Sequence, residues 1–142
     1  MRLFLDTSVL LAAAASNRGA SREIFRLAPA NEWIIITTAY VVEEVLRNLP
    51  DFPPLVSGEW VRLRSELLLT EDVITLDRPA VFFARKDRPI LFSAFAWADL
   101  LLTLDSADFG DLLGTSFYGM PVLRPGQFLH RQRAAGRLRE SP

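Results

Sequence analysis

The chain has no cysteine, and that absence removes disulfides, zinc–thiolate and iron–sulfur centres and cysteine nucleophiles together. It fits a reducing, cytoplasmic setting without demanding one. Histidine is nearly missing too. His130 is the only one, which leaves little for His-rich metal sites or a Ser–His–Asp relay. There is no excess of one charge: 16 Lys and Arg face 17 Asp and Glu, for a formal net charge of −1. That balance argues against broad coating of nucleic acid. No apolar run reaches membrane length. The longest, Pro89 to Leu104, carries Asp99 and falls short of the roughly 20 residues a spanning helix needs. The opening Met1-Arg2-Leu3-Phe4-Leu5-Asp6 meets an acidic residue too early for a signal-peptide core. What is present, 142 residues, suits one domain that folds without cross-links.

Apolar runs bounded by turn residues alternate with stretches of helical period, the pattern of an α/β domain. Residues 2–5 read as a central strand ending at Asp6, and residues 8–16 as a helix. A second helix opens near Ser21, a suitable N-cap for Glu23 to Leu27. Trp33 to Thr37 is almost wholly apolar, as in a parallel strand covered on both faces. Ala39 to Leu49 has helical spacing. Asp51 to Gly58, with Pro53 and Pro54, reads as a loop, residues 59–70 as a surface helix, and residues 72–76 as a short strand. Residues 77–86 fit strand or helix. A helix opens at Asp87, with Pro89 in its first turn, where a missing N–H costs nothing, and runs to about Trp97. Leu100 to Leu104 reads as a buried strand, followed by a loop or short helix through Asp111. Pro121 to Leu123 is a short edge strand and Pro125 to Leu138 a basic helix.

Two acidic residues stand where a ligand site would lie. Asp6 directly follows the first apolar strand, and Asp105 directly follows Leu100 to Leu104. In open parallel sheets, ligands bind outside the carboxyl ends of the strands. Asp87 opens a helix. Glu44 sits at the edge of the buried face of the 39–49 helix, while Glu43 lies about 100° around. Each also has a plain structural role open to it: the three aspartates as N-caps, and Glu44 as a solvated partner of Arg47.

Taken together, four segments resemble the PIN-domain family, which includes the VapC-like ribonuclease toxins. They are Leu3-Phe4-Leu5-Asp6-Thr7-Ser8-Val9-Leu10; Thr38-Ala39-Tyr40-Val41-Val42-Glu43-Glu44-Val45-Leu46; Lys86-Asp87-Arg88-Pro89-Ile90-Leu91 with Ala94; and Ala98 to Phe109, which ends Thr103-Leu104-Asp105-Ser106-Ala107-Asp108-Phe109. Pro121-Val122-Leu123 and Pro125 to Leu129 resemble the family's last strand and terminal helix. The resemblance implies a three-layer α/β/α sandwich with a mostly parallel sheet over residues 1–130, followed by a basic C-terminal tail at 131–142. It maps the family's metal-binding carboxylates onto Asp6, Glu44, Asp87 and Asp105, with Asp108 as a fifth. Glu44 is preferred to Glu43 because it stands six residues after Thr38. The family more often has Ser at that hydroxyl position, so Thr38 is a departure. Asp99 precedes its strand and is left out. Residues 50–80 match no fixed pattern.

Four carboxylates in close company do not all stay ionised unaided: two charges about 5 Å apart cost roughly 3 kcal/mol at an effective dielectric of 20. Either pKa values rise or a divalent cation joins them. Oxygen-only ligation selects Mg²⁺ or Mn²⁺ over zinc, and in-line attack of water on a phosphodiester is the chemistry such a site serves. Thr7, Ser8 and Thr103 are placed to orient a carboxylate or to cap and pack a strand end. Arg85, Lys86 and Arg88 are placed for RNA backbone or for solvent, and Arg131, Arg133, Arg137 and Arg139 read as a solvated tail. The resemblance further implies an RNA substrate, single-stranded or structured, an antitoxin partner and a homodimer, while the short apolar runs imply no membrane association. Two other readings stay open. One is a catalytically inert PIN-like module binding RNA or protein. The other is an aspartate-based phosphatase with Asp6 as nucleophile, although that pattern wants a second Asp where Ser8 stands.

Overall fold

Three consecutive apolar residues, Leu3, Phe4 and Leu5, are completely buried, as a strand covered on both faces requires. They belong to β1 (Arg2–Leu5). In this computed structural model, which describes residues 1–76 and 85–140, β1 lies near the middle of a six-stranded sheet. Around it follow, in chain order, α1 (Thr7–Ala15), α2 (Ala20–Asn31), β2 (Ile34–Thr38), α3 (Ala39–Asn48), α4 (Pro54–Arg64), β3 (Leu68–Thr70), α5 (Arg88–Trp97), β4 (Leu100–Leu102), α6 (Ser106–Phe109), β5 (Thr115–Phe117), β6 (Met120–Leu123) and α7 (Pro125–Ala134). The strand order is β3-β2-β1-β4-β6-β5. All neighbours run parallel except the β5–β6 hairpin at one edge. The expected α/β architecture with a mostly parallel central sheet is the one that forms.

The order of strands has one consequence for function. The chain proceeds outward from β1 to β2 and β3 on one side, then returns to β4 beside β1 on the other. Such a reversal opens a crevice at the carboxyl ends of the two central strands. Register fixes what faces it: Leu5 pairs with Leu102, and the amide of Asp6 donates to the Leu102 carbonyl at 3.1 Å. The ends that deliver Asp6 and Asp105 are therefore adjacent. Asp99 lies at the opposite end, where its carboxylate accepts from the Arg2 amide at 2.6 Å.

Several boundaries differ from the sequence reading. The loop expected over 51–58 is mostly helix: α4 starts at Pro54, with Pro in its first turn, so the prolines begin an element there. The helix expected through Thr70 ends at Arg64, and Leu68–Thr70 pairs with β2 as β3. The strand expected at 72–76 does not form, because the edge-strand position is filled a few residues earlier. The segment is instead tied down through side chains: the Val73 amide donates to Ser93 Oγ at 2.7 Å, and Trp97 Nε1 donates to the Glu71 carbonyl at 2.9 Å. Residues 77–84, which fitted strand or helix, lie outside the described residues. β5 was not expected. Trp33 and Trp60 are buried, and Trp33 packs edge to face on Phe128. The chain after α7 is largely exposed, with Arg137 and Arg139 in solvent, and it is tied back to α2 and α7. Asn31 Nδ2 donates to the Arg139 carbonyl and the Arg139 amide donates back to Asn31 Oδ1, both at 2.7 Å. Glu140 sits between Arg26 and Arg133.

Candidate active site

Asp6 is buried at the start of α1 and takes the capping position. Its carboxylate accepts from the Thr7 amide at 2.6 Å, from Ser8 Oγ at 3.1 Å and from Thr103 Oγ1 at 2.6 Å. Burial nonetheless dominates, because so few of these donors replace the lost water, and the carboxyl is pushed up to about 6; Glu44 adds to the rise. Thr103 is the link to Asp105. Its hydroxyl donates to Asp6 and accepts from the Asp105 amide at 3.0 Å. Ser8 Oγ in turn accepts from the Leu104 amide at 3.0 Å. The two strand ends are thus stitched together by hydroxyls.

Asp105 caps α6, accepting from the amides of Ala107 and Asp108. Its plain role as an N-cap is real, and it leaves carboxylate capacity over. Asp87 behaves differently. It precedes α5 from a 3₁₀ turn (Arg85–Asp87) and makes no side-chain capping bond. It is buried, and its Oδ2 has no hydrogen-bond partner among the described residues. Capping therefore does not account for it. Burial and the neighbouring Asp108 push its carboxyl up to about 8, with Asp6 contributing, while Asp108, bonded to Asp87 and Lys86, is held below the ordinary range. One proton shared between the two is the arrangement these opposite shifts describe.

Asp87, Asp105 and Asp108 each present an oxygen within 4.8 Å of the others. Glu44 stands at their border: Thr7 Oγ1 donates to its Oε1 at 3.3 Å, and burial raises its carboxyl, with Asp105 adding to the effect. No ion pair joins Glu44 to Arg47 among the described residues. Lys86 supplies one counter-charge, its Nζ lying 3.0 Å from Asp108 Oδ2 on an exposed side chain. The side chain of Arg85 lies outside the described residues. Of the five acidic residues named from sequence, Asp87, Asp105 and Asp108 come together in one cluster, while Asp6 and Glu44 stand outside it and act on it electrostatically, Asp6 on Asp87 and Glu44 through its mutual influence with Asp6 and Asp105. The bond that Tyr40 makes to the turn carrying Asp87 has no one-dimensional signal, since it joins residues 46 positions apart.

An all-oxygen group of acids with one buried carboxylate oxygen left without a donor suits a hard divalent cation. A proton satisfies the same oxygens in its place, which is what the raised Asp87 and Asp6 values express.

No family model and no curated protein matches the sequence. Solved structures do resemble the fold. VapBC2 from Rickettsia felis, crystallised bound to a DNA fragment from its promoter, matches with a TM-score of 0.62 at 14% identity, over 86% of this chain and 97% of that one. VapC20 from Mycobacterium tuberculosis, a Sarcin-Ricin loop cleaving toxin, matches with a TM-score of 0.52 at 13% identity, over 77% of this chain and 94% of that one. Identity this low speaks to architecture alone, and on that count the chain has the VapC-like PIN-domain fold.

Proposed function

We propose that this chain is a metal-dependent endoribonuclease that hydrolyses RNA phosphodiester bonds, and that it is the toxin of a toxin–antitoxin pair. The observation that carries the reading is the cluster of Asp87 with Asp105 and Asp108 from a separated segment, with a buried oxygen of Asp87 left unpartnered among the described residues and Asp6 and Glu44 within electrostatic reach. An adhesive or purely structural surface has no use for that arrangement, since each added carboxylate near 5 Å costs about 3 kcal/mol of repulsion.

In this reading Asp87, Asp105 and Asp108 hold Mg²⁺ or Mn²⁺, with Asp6 and Glu44 completing the acidic wall. The ion, when bound, supplies charge neutralisation at a phosphate oxygen and Lewis acidity toward the attacking water. The protein's own part is aim. Thr103 and Ser8 fix the Asp6 carboxylate, Thr7 fixes Glu44, and the α6 amides fix Asp105. Lys86 trims the negative field that would otherwise repel a polyanion. RNA as substrate, an antitoxin partner and a homodimer are what the resemblance to the PIN-domain family implies, and a cytoplasmic location fits the lack of cysteine. No described helix is long and apolar enough to cross a membrane.

The test is incubation of purified protein with labelled single-stranded RNA in Mg²⁺, Mn²⁺ or EDTA, beside Asp6→Asn. The expected outcome is cleavage that needs the metal and is lost in the variant. Cleavage indifferent to chelator and substitution would overturn the proposal. Metal-dependent binding without cleavage would point to an inert module, and a trapped aspartyl-phosphate to a phosphatase.

A further inference from the structure

In the turn that brings Asp87 to the site, Asp87 caps nothing, and its Oδ2 is without a partner among the described residues. Among the described residues, a phenol hydrogen-bonds this turn to the helix carrying Glu44. Tyr40 Oη donates to the Lys86 carbonyl at 2.5 Å, and that carbonyl belongs to the peptide leading directly into Asp87. Tyr40 stands four residues before Glu44 on α3, so the two side chains share a helix face. Both Glu44 and Asp87 act on the phenol as nearby negative charges. The base of the tyrosine is also fixed. Its amide donates to Asp72 Oδ2 at 3.2 Å, which serves an α3 N-terminus that Thr38 does not cap.

We propose that Tyr40 is a positioning residue of the active site, its hydroxyl setting the distance and tilt of Asp87 relative to Glu44 and the acidic cluster without itself touching metal or substrate. The inference rests on the metal-dependent nuclease reading above. Its physical basis is the choice of acceptor. A hydroxyl bonded to a main-chain carbonyl holds the peptide ahead of the ligand and takes up none of the carboxylate's own lone pairs. Outer groups that orient a metal ligand in this way are typically worth about 10–100-fold in affinity or activity.

Tyr40→Phe keeps the ring and deletes the bond. Mn²⁺ binding to metal-free full-length protein, followed by electron paramagnetic resonance, is expected to weaken by about 10–100-fold in this variant. The metal-free melting temperature is expected to stay within about 3 °C of wild type, because one half-exposed hydrogen bond is small beside the whole fold. Wild-type affinity in Tyr40→Phe overturns the proposal. So does a larger drop in metal-free melting temperature, which would make the phenol a general structural contact. Asp87→Asn separates the two levels. If wild type binds Mn²⁺ and Asp87→Asn does not, the metal site stands and Tyr40→Phe alone decides the role of the phenol. If Asp87→Asn binds as well as wild type, or wild type binds none, the underlying site reading fails and takes this one with it.

Discussion

Asp87 shows what a buried carboxylate costs in stability. Its burial and the pressure of Asp108 push it up to about 8, against an ordinary value of 3.8. A carboxyl raised on folding binds a proton that the unfolded chain has already released, so its favourable contribution is complete below pH 4 and fades as pH climbs through about 8. At pH 8 without metal, the wild-type fold therefore holds a partly ionised, poorly solvated Asp87. Asp87→Asn removes that charge at nearly constant volume. The expected outcome is a variant that melts higher than wild type in EDTA at pH 8, with a smaller difference at pH 5, and that has lost RNA cleavage by about 100-fold, since the proposed site loses a ligand. Thermal melts at the two pH values check the first part and a cleavage assay the second. A variant less stable at both pH values would show that the carboxylate serves the fold.

Short elements do much of the placing. α6 spans only Ser106–Phe109, yet its cap is Asp105 and it carries Asp108. Gly110 closes it in helical backbone, where a Cβ would stand 2.4 Å from the Ser106 carbonyl oxygen. No side chain tolerates that approach, so Gly110→Ala must shift the local backbone, and a shift taken up by α6 moves Asp105 and Asp108 with it. A displacement on the order of 1 Å is enough to cost about 100-fold in activity. The expected outcome is weakened Mn²⁺ binding and cleavage in a protein that retains its far-ultraviolet circular dichroism. Unchanged metal affinity would show that α6 absorbs the methyl without moving its carboxylates.

For the whole molecule, the proposed site sets protons and metal in competition for the same acidic cluster. Asp6 is raised to about 6 and Asp87 to about 8, so in EDTA the melting temperature is expected to fall as pH rises from about 5 to 8.5. Mn²⁺ expels those protons and replaces them. Its stabilisation, about 3 kcal/mol at a hundredfold excess over the dissociation constant, is therefore expected to be larger at pH 8 than at pH 5.5. Melting curves at the two pH values, with and without Mn²⁺, check this. An increment that does not grow with pH would mean that the ion binds elsewhere.

The chain itself decided the periodic parts. Runs such as Leu3-Phe4-Leu5 and Leu100-Leu101-Leu102 are apolar on both faces, and they form the paired central strands because no other place in a domain of this size covers them. The acids at their ends were legible for the same reason: a strand that terminates in Asp announces where it stops. Local pattern failed where a neighbour's edge, and not local preference, chose the conformation. Leu68–Thr70 becomes a strand because β2 offers it unpaired backbone groups, and the prolines at 53 and 54 start a helix because an N-terminal turn has no need of their missing N–H. Only tertiary structure could decide which carboxylates meet, which one lacks a partner, and which hydroxyl bridges Asp6 to Asp105. Hydrogen bonds and charge repulsion act over a few ångströms, and only the folded sheet brings residues a hundred positions apart within that range.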